Sequence, residues 1–303
     1  MGTRKPKPPP DLAELLDSWD IVMQAERKSP KTIRTYRDGV RGFLRWCDTS
    51  ATEPVLTRAA VLAFTANLLA NGAQPATARG RQQALRRFSA WLAEEGELDT
   101  DPLLGMRPPR LDTKVVEPLD ADELKMLIKA CQGKSLRDRR DEAIVRLMAE
   151  TGARAGEVTA MLIADVDLRR GMAVIRRGKG GKGRIVPFSP QTATALDRYI
   201  RMRRAHLLAG GPALWVGDRG KTFSYSALQR SLGYRAQLAG IDRFHPHLLR
   251  HTAATRWLRA GGSEGGLMAV AGWASRDMLD RYTAATASER AAAEARTLGL
   301  GEL

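Results

Sequence analysis

Apolar and polar positions alternate with a helical period over residues 11–96. After Ser29, apolar residues fall at Ile33, Tyr36, Val40, Phe43 and Leu44, mostly three or four apart, which lays them along one stripe of an α-helix. Ser29 suits the N-cap of that helix and Pro30 its first residue. Thr57 opens another such run, with Val61, Phe64, Leu68 and Leu69 inward and Asn71-Gly72 as its stop. A further run from Pro75 turns Leu85, Phe88 and Leu92 inward. With a first helix over about residues 11–27, the pattern predicts a bundle of four helices.

The period is lost over residues 97–118, where prolines and mixed charge predict a linker. Beyond it Asp120 caps a helix and a second helix stops at Gly152. The β-prone stretches MAVI and RIVPF flank a glycine-rich turn, which predicts a β-hairpin. Ser189-Pro190 starts a helix running to about residue 208, ALWV predicts a short strand, and the remainder reads as helix. The expected class is mainly α with a small antiparallel β-hairpin or sheet in the C-terminal domain (α+β). The expected organisation is a basic Pro-rich tail (1–10), a helical domain (11–96), a linker (97–118) and a second domain with a helical tail (119–303).

Composition narrows the partners. The 303 residues, 43% hydrophobic and 27% charged, carry ample core material for two domains. No apolar run reaches bilayer length and the N-terminus has no secretory signal. Cys47 and Cys131 match no metal or redox spacing, so the expectation is a reduced, cytoplasmic protein without disulfides or a bound metal. The 49 Lys+Arg against 34 Asp+Glu give a formal charge of +15, an excess suited to nucleic acid or an anionic membrane surface. Seven basic residues and no acid lie between Arg169 and Arg184, Arg176, Arg177, Lys182 and Arg184 among them. Arg34, Arg37 and Arg81 fall on outward faces of the bundle helices. No lipid-binding apolar face accompanies these clusters, so DNA is the favoured partner.

Four pieces of the second domain hold the residue types that phosphoryl transfer without a metal would use. Arg154 lies in TGARAGE just beyond a helix stop, and Lys179 in the turn GKGGKGR. His247 and Arg250 lie three apart in HLLRH and so share a helix face. Tyr282 follows Trp273 by nine residues. Read singly, each has a plainer role: Arg154 paired with Glu157 at a helix end, Lys179 solvated, His247 structural, Tyr282 packed.

In order and spacing, however, TGARAGE, GKGGKGRIVP, HLLRH, GW and the tyrosine of DRY resemble the tyrosine recombinase, or phage integrase, family, in Xer-like or Cre-like form. The resemblance spans about residues 115–290. It implies that Tyr282 attacks a DNA phosphodiester to leave a 3′-phosphotyrosyl link, with Arg154, Arg250 and Trp273 on the phosphate oxygens. It implies further that Lys179 is the acid for the departing 5′-oxygen, that His247 is a base or orienter, and that Glu157 holds Arg154. Trp273 stands where many relatives have histidine; its indole donates a hydrogen bond but relays no proton. The link retains the bond energy, so the resemblance implies no cofactor.

The resemblance also implies four protomers on two duplexes, a homotetramer or a heterotetramer with a related recombinase. The C-terminal stretch with Leu298, Leu300 and Leu303 would then dock on a neighbour. The glycines of RAGGSEGGLMAVAGW predict a soft helix before Trp273. Two other readings of the same residues are a type IB topoisomerase, which nicks and reseals one duplex, and a catalytically silent DNA-binding protein. On any of the three, contact with roughly ten phosphates should weaken DNA binding by about 10⁵ between ~50 and ~200 mM salt in a filter-binding titration.

Overall fold

The computed structural model describes residues 10–111, 116–176 and 183–297, which separate into two compact units divided near residue 114. The first unit is a bundle of α1 (Leu12–Ala25), α2 (Pro30–Thr49), α3 (Arg58–Ala70) and α4 (Pro75–Glu94). Asp11, Ser29 and Thr57 cap the first three through their side-chain oxygens, each satisfying backbone N–H groups that a helix start leaves open. The stripes meet as the spacing demands: Trp19 and Met23 from α1, Val40 and Phe43 from α2, Val61 and Phe64 from α3, and Leu85, Phe88 and Leu92 from α4 are all buried. Leu69 is the exception at 40% exposed, while its neighbour Leu68 in the same turn packs against the core.

Two polar features of this unit escape hydrophobic patterning. Asp20 is buried and ion-pairs with Arg37, tying α1 to α2. The stretch read as linker begins as packed chain: Leu103 and Met106 lie in the bundle core. Arg58 donates to the carbonyls of Pro102 and Leu104, and Asp101 accepts from Ser89. Neither leucine nor methionine is periodic there, so the pattern had no means of marking them.

The second unit contains α5 (Ala121–Cys131), α6 (Leu136–Thr151), the short α7 (Ala155–Thr159), α8 (Pro190–Arg203), α9 (Tyr225–Leu238), α10 (Pro246–Arg259), α11 (Glu264–Ala271) and α12 (Asp277–Thr297). Its sheet consists of β1 (Val166–Asp167), β2 (Met172–Ile175) and β3 (Arg184–Pro187), antiparallel in that order. The class is therefore mainly α with a small antiparallel sheet, as expected, the hairpin having gained a third short strand. Val174 pairs with Ile185 and Ala173 with Val186, so period-two alternation sends Ala173, Ile175 and Val186 into the core.

The stretch ALWV is not a strand. Leu214, Trp215 and Val216 are buried; the stretch makes only isolated bridges, Ala213 to Leu162 and Val216 to Thr222, and side chains take several of its remaining backbone groups. The Tyr199 hydroxyl donates to Leu214 O and accepts from Val216 N, while Arg203 donates to the carbonyls of Ala209, Gly211, Ala213 and Leu214. The same guanidinium gathers the chain at the end of α8, so that helix stops at Arg203 and not near residue 208. The expected soft helix before Trp273 is α11, capped by Ser263 and ended by a left-handed Gly272. Two glycines of this stretch have a packing reason: a side chain at Gly262, just before α11, or at Gly266 would run into the Trp257 indole, which donates to Ser263 O at 3.0 Å, whereas a Cβ at Gly265 would meet nothing.

Gly39 in α2 lies against Ala84 of α4 so closely that a Cβ would clash, whereas a Cβ at Gly80 in α4 meets nothing. Gly39→Ala should therefore destabilise the bundle by about 1–3 kcal/mol in urea denaturation. Gly80→Ala should stabilise it by about 0.5–1 kcal/mol through helix propensity. Shifts of the same sign would rule out the close approach.

Candidate active site

The site in the second unit begins where α6 ends. Gly152 adopts the left-handed conformation that closes a helix (φ 63°), and the chain leaves it to make Arg154 the N-cap of α7. Glu157, one turn on, folds back: its Oε2 accepts from Arg154 N at 2.9 Å and its Oε1 from Arg154 Nη1 at 2.8 Å. The carboxylate has a second guanidinium partner, Arg184 of β3, with Nη2 2.7 Å from Oε2. Burial opposes the charge on Glu157, but the hydrogen bonds from Arg184 and Arg154 prevail and hold its pKa below the usual carboxylate value.

The N-terminal half of α10 faces this turn. Pro246 occupies its first position, so His247, Arg250 and His251 follow at helical spacing. Arg250 is 1% exposed and donates through Nη1 to Gly152 O at 2.6 Å. Its Nε and Nη2 are buried without a hydrogen-bond partner among the described residues, and so is Trp273 Nε1. The Arg250 guanidinium stands over the Trp273 ring, 5.3 Å from its centroid. Burial, with Arg154 nearby, lowers the Arg250 pKa to about 10. Leaving charged donors buried and unmatched costs on the order of 1–3 kcal/mol per group or more, a cost that an anion accepting from all three would remove.

Tyr282, in the second turn of α12, completes the cluster. Its ring stacks on Trp273 at 5.0 Å and 18° and lies 5.2 Å from the ring of His251, which meets His247 edge-on at 4.9 Å. Trp273 and Tyr282 share a small apolar cluster with Ala254, Leu258, Leu267, Ala271 and Leu279, where α10, α11 and α12 converge. Burial and the charges of Arg250, His245 and Arg154 pull His247 below the ordinary imidazole value, which favours its neutral form.

The structure thus brings together Arg154, Glu157, His247, Arg250, Trp273 and Tyr282. Lys179, with Arg177 and Lys182, lies outside the described residues, as do Leu298, Leu300 and Leu303. Among the expected DNA-contacting arginines, Arg34 is exposed and Arg81 half-buried. Three have carboxylate partners: Arg37 pairs with Asp20, Arg184, 9% exposed, with Glu157, and Arg176 with Asp165 through Nε while its side chain stays 57% exposed. A run of basic residues reads as a solvated face in sequence, but each of these arginines meets a buried carboxylate of another element. His251, which ends HLLRH, joins the site as well, one turn after His247, with no signal in the spacing to set it apart from a structural histidine. A cleft of about 1470 Å³ between the start of α6 and α9, lined by Arg137, Arg219, Lys221, Arg230 and Tyr234 among others, also left no mark on the pattern.

Both units match known protein families. A model of the phage integrase family matches residues 117–289, and one of the phage integrase N-terminal SAM-like domain matches residues 16–96. The tyrosine recombinase XerC of Chromohalobacter salexigens is 30% identical over 258 residues, 84% of this chain and 86% of that protein. The crystal structure of XerA recombinase superposes with a TM-score of 0.52 at 31% identity, over 89% of this chain and 93% of that one. XerH recombinase bound to its palindromic difH substrate in a post-cleavage complex shares the fold, with a TM-score of 0.74 at 18% identity over 93% and 84%.

Without DNA, His247 should titrate below about 6.5 in a two-dimensional NMR experiment, and added vanadate or phosphate should raise that value by placing an anion among the cations. A free-protein value at or above 6.5 would remove the electrostatic coupling described here.

Proposed function

The chain belongs to the phage integrase family of tyrosine recombinases, and we propose that it cuts and rejoins DNA through Tyr282. It is a DNA-binding, site-specific recombinase; the topoisomerase and silent-binder readings are not favoured by relatives that are tyrosine recombinases. The observation that carries the residue assignment is the set of three buried N–H donors, Arg250 Nε and Nη2 and Trp273 Nε1, unmatched among the described residues and adjoining the Tyr282 ring.

In this reading the scissile phosphate accepts from those donors and from Arg154. Attack by the Tyr282 oxygen forms the phosphorus–tyrosine bond and breaks the bond to the 5′-oxygen. Ionising a tyrosine at pH 7 costs about 4 kcal/mol, which the surrounding guanidinium charge offsets. The same cations stabilise charge growing on the non-bridging oxygens, and loss of one such donor typically costs ~10²–10³ in rate. Neutral His247 can take or orient the tyrosine proton, and Lys179 protonates the leaving 5′-oxygen. Glu157, its oxygens occupied by arginines, holds Arg154 and does not react.

Exchange between two duplexes needs four cuts, hence four protomers, as a homotetramer or with a related recombinase. Backbone contacts would include the cations of the α6–α9 cleft, which Arg219, Lys221 and Arg230 line together with the exposed Tyr234. No helix among the described residues is long and apolar enough to cross a membrane, and the proposed place of action is the cytoplasmic nucleoid.

The test is a covalent trap. Wild-type protein incubated with genomic fragments and stopped with detergent should carry DNA ending at one recurring site. Tyr282→Phe should bind that DNA and carry none. DNA bound but never linked by the wild type would overturn the assignment.

A further inference from the structure

Arg184 is the one charged group of the site to which the mechanism above gives no task. Its Nη1 and Nη2 lie 3.2 and 2.7 Å from Oε1 and Oε2 of Glu157, a two-pronged grip, and its Nε donates at 2.7 Å to Val270 O in the last turn of α11. A Cβ at Gly272 would stand 3.0–3.1 Å from the guanidinium, and Gly272 itself has a φ of +66°. The turn leading to Trp273 is therefore shaped around this side chain. One planar group joins three segments of the second unit: α7 with Arg154 and Glu157, the first residue of β3, and the turn that delivers Trp273.

We propose that Arg184 is a positioning residue for strand cleavage, fixing the Glu157 carboxylate so that Arg154 presents its free donors to the phosphate, and pinning the turn that carries Trp273. The proposal rests on the assignment of Arg154 and Trp273 to phosphate binding. Arg184 touches neither DNA nor the reacting atoms. With Arg154 alone, Glu157 would make a local ion pair three residues away, whose two side chains swing together. With Arg184 opposite, each carboxylate oxygen accepts twice: Oε1 from Arg154 Nη1 and Arg184 Nη1, Oε2 from Arg154 N and Arg184 Nη2. A carboxylate held at four points cannot rotate, so the guanidinium it orients is fixed before DNA arrives. Lysine cannot substitute, because only a fork spans both oxygens while a third donor reaches a carbonyl. Because β3 begins at Arg184, the same contact anchors the start of that strand.

The experiment measures covalent-complex formation on a nicked suicide version of the trapped site, alongside DNA affinity and thermal melting. Arg184→Ala should slow covalent-complex formation about 100-fold, the effect of misplacing a catalytic group by an ångström, with DNA affinity unchanged. Removing two of the four donors while leaving burial in place should raise the Glu157 pKa. The variant should therefore lose rate more steeply than wild type as pH falls from about 7 to 5. The double variant with Arg154→Ala should be hardly slower than Arg154→Ala by itself, since one residue acts through the other.

A wild-type rate, losses that multiply, or weaker DNA binding with a salt slope reduced by about one would each overturn the proposal, the last by making Arg184 a phosphate contact. Should Arg184→Ala fail to fold, Arg184→Lys takes its place: slow cleavage at unchanged melting temperature supports the role, and a normal rate refutes it. Failure of the underlying assignment is separately visible, as wild type that forms no link or Tyr282→Phe that does.

Discussion

Gathering guanidinium groups into one small volume is the constraint around which the second unit is organised. Arg154, Arg184 and Arg250 each raise the cost of charging another, and that repulsion adds to burial in lowering the Arg250 pKa. Two unit charges 4 Å apart interact by about 4 kcal/mol at the effective dielectric of a protein surface. The fold answers with a single carboxylate, Glu157, shared by two of the arginines, and a single carbonyl, Gly152 O, aimed at the third. Neutralisation is incomplete, and the residue of positive charge and open donors beside Tyr282 is what a DNA phosphate would complete.

Holding such a cluster requires rigid supports outside it, and the helices around the site are pinned by buried polar contacts more than by propensity. Thr252 of α10, fully buried, accepts from Leu119 N while donating to Leu248 O, so the helix bearing His247 and Arg250 is fastened to the start of the unit. Asp141 of α6 accepts from Arg140, Ser231 and Arg235 and joins α6 to α9. Breaking a buried pair by removing one partner leaves an unmatched charge, typically a loss of about 3–5 kcal/mol. These contacts therefore specify how α6 and α9 dock, even where an apolar replacement of the whole set would be as stable.

The bundle was legible because its information is local. Caps such as Ser29 and Thr57, Pro30 at a helix start, and apolar steps of three and four all act within a few residues, and the helices began where those signals stand. The residues gathered at the site were legible for a different reason: HLLRH puts His247 and Arg250 on one helix face by spacing alone, and Gly152 marks the turn that frees Arg154. Where the fold departs from the local pattern, a side chain from another element intervenes. Arg203 took the carbonyls of Ala213 and Leu214, leaving ALWV isolated bridges where a strand was expected, and Leu103 with Met106 filled a core from within an aperiodic stretch.

The sequence by itself determined the helices, the hairpin, the basic balance and the order of residues that places this chain among tyrosine recombinases. Each is set by periodicity, capping or composition, which act over a turn or two. Only the tertiary structure decided which arginines are free for DNA and which are spent inside the protein. Arg37, Arg176 and Arg184 look alike in a basic sequence and each meets a buried carboxylate of another element, Asp20, Asp165 and Glu157, yet Arg184 is 9% exposed and Arg176 stays 57% exposed. Charge is a property of a residue, but its availability depends on what the fold sets within about 4 Å of it, and no local pattern contains that distance.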